Sequence, residues 1–172
     1  MYKKPVFGQK ISQRRILLTV QLDLLENEMT GSIPSEIGLL SSHLYQLNLG
    51  ANKFSGTIPS EIGDLVLLQQ LDLHDNLFTG WLPELDGLTD LTLLHLQHNN
   101  QITGTLPDSW GQLSALEELR LAGISLSGDL DSVVCRLYTV SYSSASCGDG
   151  FMICECCTEC CNVISFEEEV CG

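Results

Sequence analysis

The sequence has few basic residues and no long apolar run, and both features exclude classes of protein. Lys and Arg together number 8 against 22 Asp and Glu, so the 172 residues carry a formal net charge of −14. A surface that binds nucleic acid has to be basic, and we therefore expect no nucleic-acid partner. A membrane helix needs about 18 consecutive apolar residues. No segment approaches that length, so we expect no membrane span in this chain.

Motifs of catalysis and of cofactor binding are also missing. The chain has no Gly-rich phosphate loop, no H-E-x-x-H and no G-x-S-x-G sequence. Cysteine is absent from the first 134 residues, since all 8 cysteines lie in the last 38. The histidines and cysteines do not form a nucleophile–base pattern that the sequence alone can support. We therefore predict that the protein is not an enzyme and that it needs no cofactor.

Leucine, in contrast, is abundant and recurs with a fixed period. Five copies of one unit begin at Gln21, Gln46, Gln70, Leu93 and Glu118, and their proline column repeats every 24 or 25 residues. The alternation Leu-x-Leu, as at Leu47 and Leu49, predicts a short strand with one buried face. Since no copy can bury its leucines alone, we expect the copies to stack into a solenoid with a continuous core.

Two further columns predict how each copy turns. An asparagine follows each strand, and its amide can bond backbone groups where the chain turns inward. These residues are Asn27, Asn52, Asn76 and either Asn99 or Asn100, and stacking would align them in a ladder. A Gly-x-Ile/Leu-Pro sequence then turns the chain, and its proline suits the first turn of a short helical segment. The extra residue at Asn99–Asn100 predicts a small bulge.

The pattern LxxLxLxxNxLxGxIPxxIGxL resembles the plant-type leucine-rich repeat of receptor ectodomains and secreted recognition proteins. The resemblance implies an α/β repeat solenoid shaped as a horseshoe. A short parallel sheet would line its concave side, and short helical or 3-10 segments would form its convex side. Members of this family usually bind proteins, peptides or polysaccharides. The resemblance therefore implies a protein or peptide partner and a receptor-like role in signalling or defence.

The composition divides the chain into four parts. We interpret residues 1–20 as a basic leader or a degenerate partial repeat, 21–131 as five repeats, 132–147 as a degenerate terminal repeat and 148–172 as a cysteine-rich acidic tail. Residues 1–20 contain five bases and no acid, and their apolar run is too short for a signal peptide. We expect a fragment of a longer, membrane-anchored protein or a misplaced gene start. One alternative is a cytosolic protein with reduced cysteines, and another is that residues 1–20 are a transit peptide.

The cysteines have two main interpretations. The first is a disulfide-bonded cap over the end of the solenoid, with Cys135 paired to the terminal cluster, and it implies an extracellular or cell-surface address. The candidates are Cys135, Cys147, Cys154, Cys156, Cys157, Cys160, Cys161 and Cys171. The alternative is a redox tail or a thiolate site for zinc or copper(I) at Cys154, Cys156, Cys157, Cys160 and Cys161. The segment CECCTECC also resembles the tails of leucine-rich-repeat proteins from algae, diatoms in particular.

The variable positions of the strands form columns on the concave face, where we expect a partner to bind. The candidates are Asp23, Gln46, Asn48, Gln70, Asp72, His74, Asp75, His95, Gln97, His98, Glu118 and Arg120. Neighbouring strands lie about 4.8 Å apart, which predicts Asp72 beside His95 and Asp75 beside His98, with His74 between.

This patch of histidines has three interpretations. It is a solvated face with incidental ion pairs, a recognition patch whose binding depends on pH because histidine titrates near neutrality, or a metal site. Of the two tryptophans, we expect Trp110 in the core and Trp81 exposed on the flank.

Overall fold

The computed structural model describes residues 20–129, Val133, residues 142–144 and residues 152–153. Within them each coil contributes a strand to a main sheet and, in three coils, a 3-10 segment. The strands of the main sheet are β1 (Val20–Asp23), β3 (Leu44–Asn48), β5 (Gln70–Asp72), β7 (Leu93–His95), β9 (Glu118–Arg120) and β12 (Tyr142–Ser144). They form the main sheet in the order β1-β3-β5-β7-β9-β12, and every pairing is parallel.

The register of the main sheet is the one that the leucine alternation predicts. Leu47 pairs with Leu71, Leu71 with Leu94 and Leu94 with Leu119, and all four side chains are buried. A shift by one residue would have turned these leucines to solvent. The predicted repeat solenoid and its parallel sheet are therefore confirmed. In the last coil Ser143 of strand β12 pairs with Leu119.

A second sheet flanks the core, and the sequence did not predict it. Its strands are β2 (Thr30–Gly31), β4 (Lys53–Gly56), β6 (Leu77–Gly80), β8 (Gln101–Gly104) and β10 (Ser125–Leu126), with a further pair β11 (Gly128–Asp129) and β13 (Met152–Ile153). Phe54 and Phe78 lie inside this sheet, where their rings stack with centroids 6.3 Å apart and planes 2° from parallel. The short segments between Asn and Pro thus contribute a second wall of the core.

The predicted asparagine ladder is present, and Asn76 shows how such a residue joins two neighbouring coils. Its amide donates to the carbonyl oxygens of Leu49 in the previous coil and of Leu73 and His74 in its own. Its carbonyl oxygen accepts the backbone N–H of Phe54 at 2.9 Å. Each ladder residue therefore satisfies backbone groups that the turn would otherwise leave buried without partners.

In the fourth coil the ladder residue is Asn99 and not Asn100. Asn99 is fully buried and repeats the same bonds to Leu73, Leu96 and Phe78, whereas Asn100 is exposed. The extra residue lies in a turn that the backbone bond from Ile102 to Asn99 closes.

The 3-10 segments lie on the convex side and agree with the predicted helical steps in three coils. They are η1 (Ser35–Leu40), η2 (Ser60–Asp64) and η3 (Asp108–Gln112), each preceded by a proline in an extended conformation. The prediction fails at Pro83, which is followed by turns. The segment from Pro83 to Leu88 is one residue shorter than that from Pro59 to Leu65. It keeps the backbone bond from Leu88 to Leu85, which matches the bond from Leu65 to Ile62 in the longer segment.

The hydrophobic core runs along the whole described stack and fills the interior of its coils. Trp110 lies fully buried within it and donates its indole N–H to the carbonyl oxygen of Pro83 at 2.9 Å, while Trp81 is 79% exposed. Both predictions for the tryptophans are confirmed. None of the helical segments in the described part of the chain is long or apolar enough to cross a bilayer. The predictions for residues 1–19 and for the eight cysteines fall outside the described residues.

Candidate functional site

The central column of the concave face is built by the register of the main sheet. Asp23 pairs with Asn48, Asn48 with Asp72, Asp72 with His95 and His95 with Arg120. These residues alternate with buried leucines, so their side chains leave the sheet on the side opposite the core. The column thus brings together five polar residues that are 23 to 25 positions apart in sequence.

The loop after each strand turns in the same way in successive coils. In three coils the side-chain oxygen of the central-column residue accepts a hydrogen bond from the backbone N–H two residues later. The donors are Leu25 to Asp23, Gly50 to Asn48 and His74 to Asp72, each at 3.1 Å. The next residue of each loop has a positive φ, and these residues are Glu26, Ala51, Asp75, His98 and Gly123. The left-handed turn repeats through unrelated residue types, so the stacked backbone imposes it, and it aligns Asp75 with His98 at the strand ends.

Seven side chains from three coils form one polar cluster on this face, which we call the concave cluster. Its members are Asp72, His74, Asp75, His95, His98, Glu118 and Arg120. Asp72 is at its centre, because Nδ1 of His74 lies 2.5 Å from Oδ1 and Nδ1 of His95 lies 3.4 Å from Oδ2. The predicted neighbours Asp72 and His95 are therefore in contact.

The C-terminal side of the cluster is a chain of charges that partly hides His95. Nε2 of His95 lies 3.1 Å from Oε1 of Glu118, and the guanidinium of Arg120 reaches the same oxygen from Nε at 2.6 Å. His95 lies on the concave face but is only 8% exposed. Its two ring nitrogens lie against the carboxylates of Asp72 and Glu118.

The open side of the cluster is formed by Asp75 and His98. Nδ1 of His98 lies 3.0 Å from Oδ1 of Asp75, as the predicted adjacency requires, and Nε2 of His74 lies 3.8 Å from Oδ2. The side chains of Asp75 and His98 are 51% and 58% exposed. A partner that approaches the concave face therefore meets this carboxylate directly.

Gly50 makes the position of His74 possible. A Cβ atom at residue 50 would lie 2.3 Å from Cε1 and 2.4 Å from Nδ1 of His74, which is closer than real Cβ atoms pack. The imidazole thus occupies the space that a side chain in the preceding coil would need. The sequence showed a glycine in this column, but its effect depends on the side chain that follows one coil later.

The hydrogen bonds of the cluster shift the titration of Asp72. Burial, the strongest single influence, raises the pKa of Asp72, but the side chains of His95 and His74, the backbone N–H of His74 and the nearby charge of His74 together outweigh it. The pKa of Asp72 therefore lies below its ordinary value of 3.8. The carboxylate stays ionised at every physiological pH.

The N-terminal half of the concave face carries amide side chains beside the carboxylates of Asp23 and Glu26. The predicted candidates Gln46, Asn48 and Gln70 lie there in register, and the hydroxyl of Tyr45 is 3.5 Å from Oε1 of Gln21. Among the predicted candidates, Gln97 is half-buried next to the exposed His98. The face thus offers amide donors and acceptors at one end and the concave cluster at the other.

An open groove on the convex side is lined by Ser35, Glu36, Gly38, Leu39, Glu61 and Asp64. Over the part of the chain that the structure describes, no group of three His, Cys, Asp or Glu side chains converges as metal ligands. The concave cluster is therefore the richest site for recognition by hydrogen bonds and charge.

Comparisons with known proteins place this geometry in a family. The Leucine Rich Repeat family model matches residues 43–65 and 90–113, while a comparison with curated proteins gives no match. The ectodomain of the Arabidopsis thaliana receptor kinase GASSHO1/SCHENGEN3, in complex with CASPARIAN STRIP INTEGRITY FACTOR 2, is 33% identical over 73% of this chain, with a TM-score of 0.68. The Arabidopsis receptor kinase HAESA, in complex with the peptide hormone IDA and the co-receptor SERK1, is 35% identical over 71%, with a TM-score of 0.64.

A third structure matches over most of its own length. The leucine-rich-repeat ectodomain of the receptor kinase SOBIR1 from Arabidopsis thaliana is 30% identical over 73% of this chain, with a TM-score of 0.65. This chain spans 68% of that ectodomain, but only 15% and 20% of the GASSHO1/SCHENGEN3 and HAESA chains. The shared fold is a recognition scaffold of plant receptor ectodomains. The chain therefore belongs to the leucine-rich-repeat family, with repeats of the plant receptor type.

Proposed function

We propose that this chain is a non-catalytic recognition module that binds a peptide or a second protein through its concave face. The observation that carries the proposal is the concave cluster, in which seven polar side chains from three coils converge on one exposed surface. The neighbouring Gln46, Asn48 and Gln70 add amide groups along the same face. Such a surface is suited to the backbone amides and charged side chains of an extended chain.

The related structures support the same kind of partner. GASSHO1/SCHENGEN3 was solved in complex with CASPARIAN STRIP INTEGRITY FACTOR 2, and HAESA in complex with the peptide hormone IDA. We propose by analogy that this chain is the extracellular part, or a piece of it, of a receptor-like protein in signalling or defence. We also propose that the eight cysteines form a disulfide-bonded cap at its C-terminal end, because native bridges add about 2–5 kcal/mol each to small domains.

The experiment is a selection of random linear peptides on the immobilised full chain. The affinity of a recovered peptide is then compared between the wild type and two matched variants, Gln70→Arg on the concave face and Gln112→Arg in the convex segment η3. Both glutamines are exposed, and both changes add one positive charge. We expect Gln70→Arg to weaken binding about tenfold or more, which corresponds to about 1.4 kcal/mol, and Gln112→Arg to leave it unchanged. Equal effects would contradict the concave site.

The cysteine cap has a separate test. The chain is alkylated without reduction and its free thiols are counted by mass spectrometry. We expect no free thiols after secretion from a eukaryotic host, because the even number of cysteines allows all of them to pair. Eight free thiols together with bound zinc or copper would favour the thiolate site instead.

A further inference from the structure

The concave cluster contains more contacts between histidine nitrogens and carboxylates than neutral histidines can satisfy. His74 bridges Asp72 and Asp75 through its two ring nitrogens, at 2.5 and 3.8 Å. His95 bridges Asp72 and Glu118 in the same way, at 3.4 and 3.1 Å. His98 contacts Asp75 alone, at 3.0 Å. A neutral imidazole carries one N–H, so three neutral rings supply three protons to these five contacts.

The two remaining contacts bring a bare nitrogen towards a carboxylate oxygen. In the tautomer that best fits the 2.5 Å contact, the proton of His74 lies between Nδ1 and Asp72, so its Nε2 is bare towards Asp75. His95 is buried, and its Nε2 has no well-directed hydrogen bond although Glu118 lies 3.1 Å away. A second proton on either ring would complete its bridge.

Protonation of the three histidines also changes the sign of the net charge of the cluster. With the histidines neutral, three carboxylates face the single guanidinium of Arg120, and with all three protonated, four cationic groups face three carboxylates. On the side of strand β3 the facing positions are Asn48, Gly50 and Ala51, which carry no charge. The charge of the cluster is therefore set by its three histidines, its three carboxylates and Arg120.

We propose that the concave cluster takes a Lys or Arg side chain of the partner at Asp75, and that this cation competes with the second protons of His74 and His95. The inference rests on the proposed function, because it names the chemistry of the partner at the same face. Asp75 is the most exposed carboxylate of the cluster, and its Oδ2 faces only the bare nitrogen of His74 among the contacts of the cluster. Binding of the cation releases protons, so acid weakens binding by linkage.

The test uses the full chain with two defined probes, hexa-arginine amide and hexa-citrulline amide, which differ in charge but little in shape. Affinities are measured by calorimetry at about pH 7.5 and about pH 5, on either side of the ordinary histidine pKa, at constant ionic strength. We expect the arginine probe to bind at least about tenfold more weakly at the lower pH and the citrulline probe to bind weakly at both. Equal binding of the arginine probe at the two pH values would overturn the inference.

Two matched pairs of variants separate this site from the general attraction between a cationic probe and an acidic protein. Asp75→Asn keeps a residue that tolerates the left-handed φ of 49°, and Asp64→Asn removes the same charge from the convex side. We expect only Asp75→Asn to lower the affinity for the arginine probe, by about fivefold or more. Equal losses in both variants would overturn the inference.

The double variant His74→Gln/His95→Gln should reduce the pH dependence to less than about twofold. His43→Gln is its control, because His43 lies outside the cluster, where its Nδ1 is 2.7 Å from the hydroxyl oxygen of Ser42. The control should keep the full pH dependence. A selected peptide that is weakened by Gln70→Arg but carries no cation would leave the proposed function intact and overturn this inference alone.

Discussion

His95 lies directly beside Asp72 on the neighbouring strand of the main sheet, with 3.4 Å between Nδ1 and Oδ2. The two residues are 23 positions apart in sequence, and only the parallel register of β5 and β7 brings them together. The same carboxylate also accepts the ring and the backbone N–H of His74. Asp72 thus links two coils through one side chain, and its ionisation should contribute to the stability of the stack.

The first prediction concerns stability at acid pH. Because the pKa of Asp72 is lower in the folded chain than in the unfolded chain, its carboxylate favours the folded state above the unfolded pKa. This contribution is lost as pH falls through the folded pKa, below 3.8. We expect Asp72→Asn to lower the free energy of unfolding by about 1 kcal/mol at neutral pH, and the difference from wild type to shrink in this acid range. Urea unfolding at a series of pH values measures it, and a difference independent of pH would contradict the interpretation.

The second prediction uses the two adjacent asparagines of the fourth coil. Asn99→Ala removes the amide that bonds Leu73, Leu96 and Phe78. The carbonyl oxygen of Leu73 keeps its bond from the amide of Asn76, whereas the carbonyl oxygen of Leu96 and the N–H of Phe78 lose the bond that Asn99 supplied. We expect it to destabilise the chain by about 2–4 kcal/mol. The control Asn100→Ala changes an exposed residue and should stay within about 0.5 kcal/mol of wild type. Similar losses in both variants would contradict the position of the ladder.

The third prediction tests the packing of His74 against Gly50. In Gly50→Ala the new methyl group would overlap the imidazole, so the ring has to rotate away from Asp72. We expect a loss of about 1–2 kcal/mol in stability and a changed chemical shift of the His74 imidazole signals. In the double variant Gly50→Ala/His74→Ala the methyl group has room. Gly50→Ala should therefore lower the stability less in the His74→Ala background than in the wild type. Strictly additive losses would contradict this contact.

The fourth prediction separates the two tryptophans. Trp110→Ala removes a fully buried indole and its bond to Pro83, and we expect it to cost about 3–5 kcal/mol. Trp81→Ala changes a side chain that is 79% exposed and should cost less than about 1 kcal/mol. In Trp81→Phe the remaining fluorescence should be blue-shifted and protected from acrylamide. Rapid quenching of that fluorescence would show that Trp110 is not in the core.

The sequence predicted the main sheet and the neighbours within the cluster because leucine alternation fixes both. Once Leu71 and Leu94 point inward, Asp72 and His95 have to meet on the other side of the sheet. Asn27 and the later ladder residues could also be predicted from the sequence, since an amide at a regularly repeated turn is suited to bond the backbone groups there. The choice between Asn99 and Asn100 was left open by the spacing, and burial decides it.

Other features could not be predicted, because they depend on three-dimensional neighbours. The strands of the second sheet are two to four residues long and carry no Leu-x-Leu alternation that would separate a strand from a turn. The residues with a positive φ after the strands include Glu26, Ala51, Asp75 and His98, which share no chemical signal for that conformation. The burial of His95 results from the lengths of Asp72 and Glu118 in adjacent coils, which no repeat pattern encodes.

The central claim is that the concave face is the binding surface, and NMR tests it most directly on the full 18.9 kDa chain. A peptide from the selection is added to isotopically labelled protein, and the shifts of assigned backbone and imidazole signals are followed. We predict the largest changes at His74, Asp75 and His98, with the signals of η1 and η2 unchanged. Changes confined to the convex groove at Glu36, Glu61 and Asp64, or to the flank around Trp81, would contradict the claim.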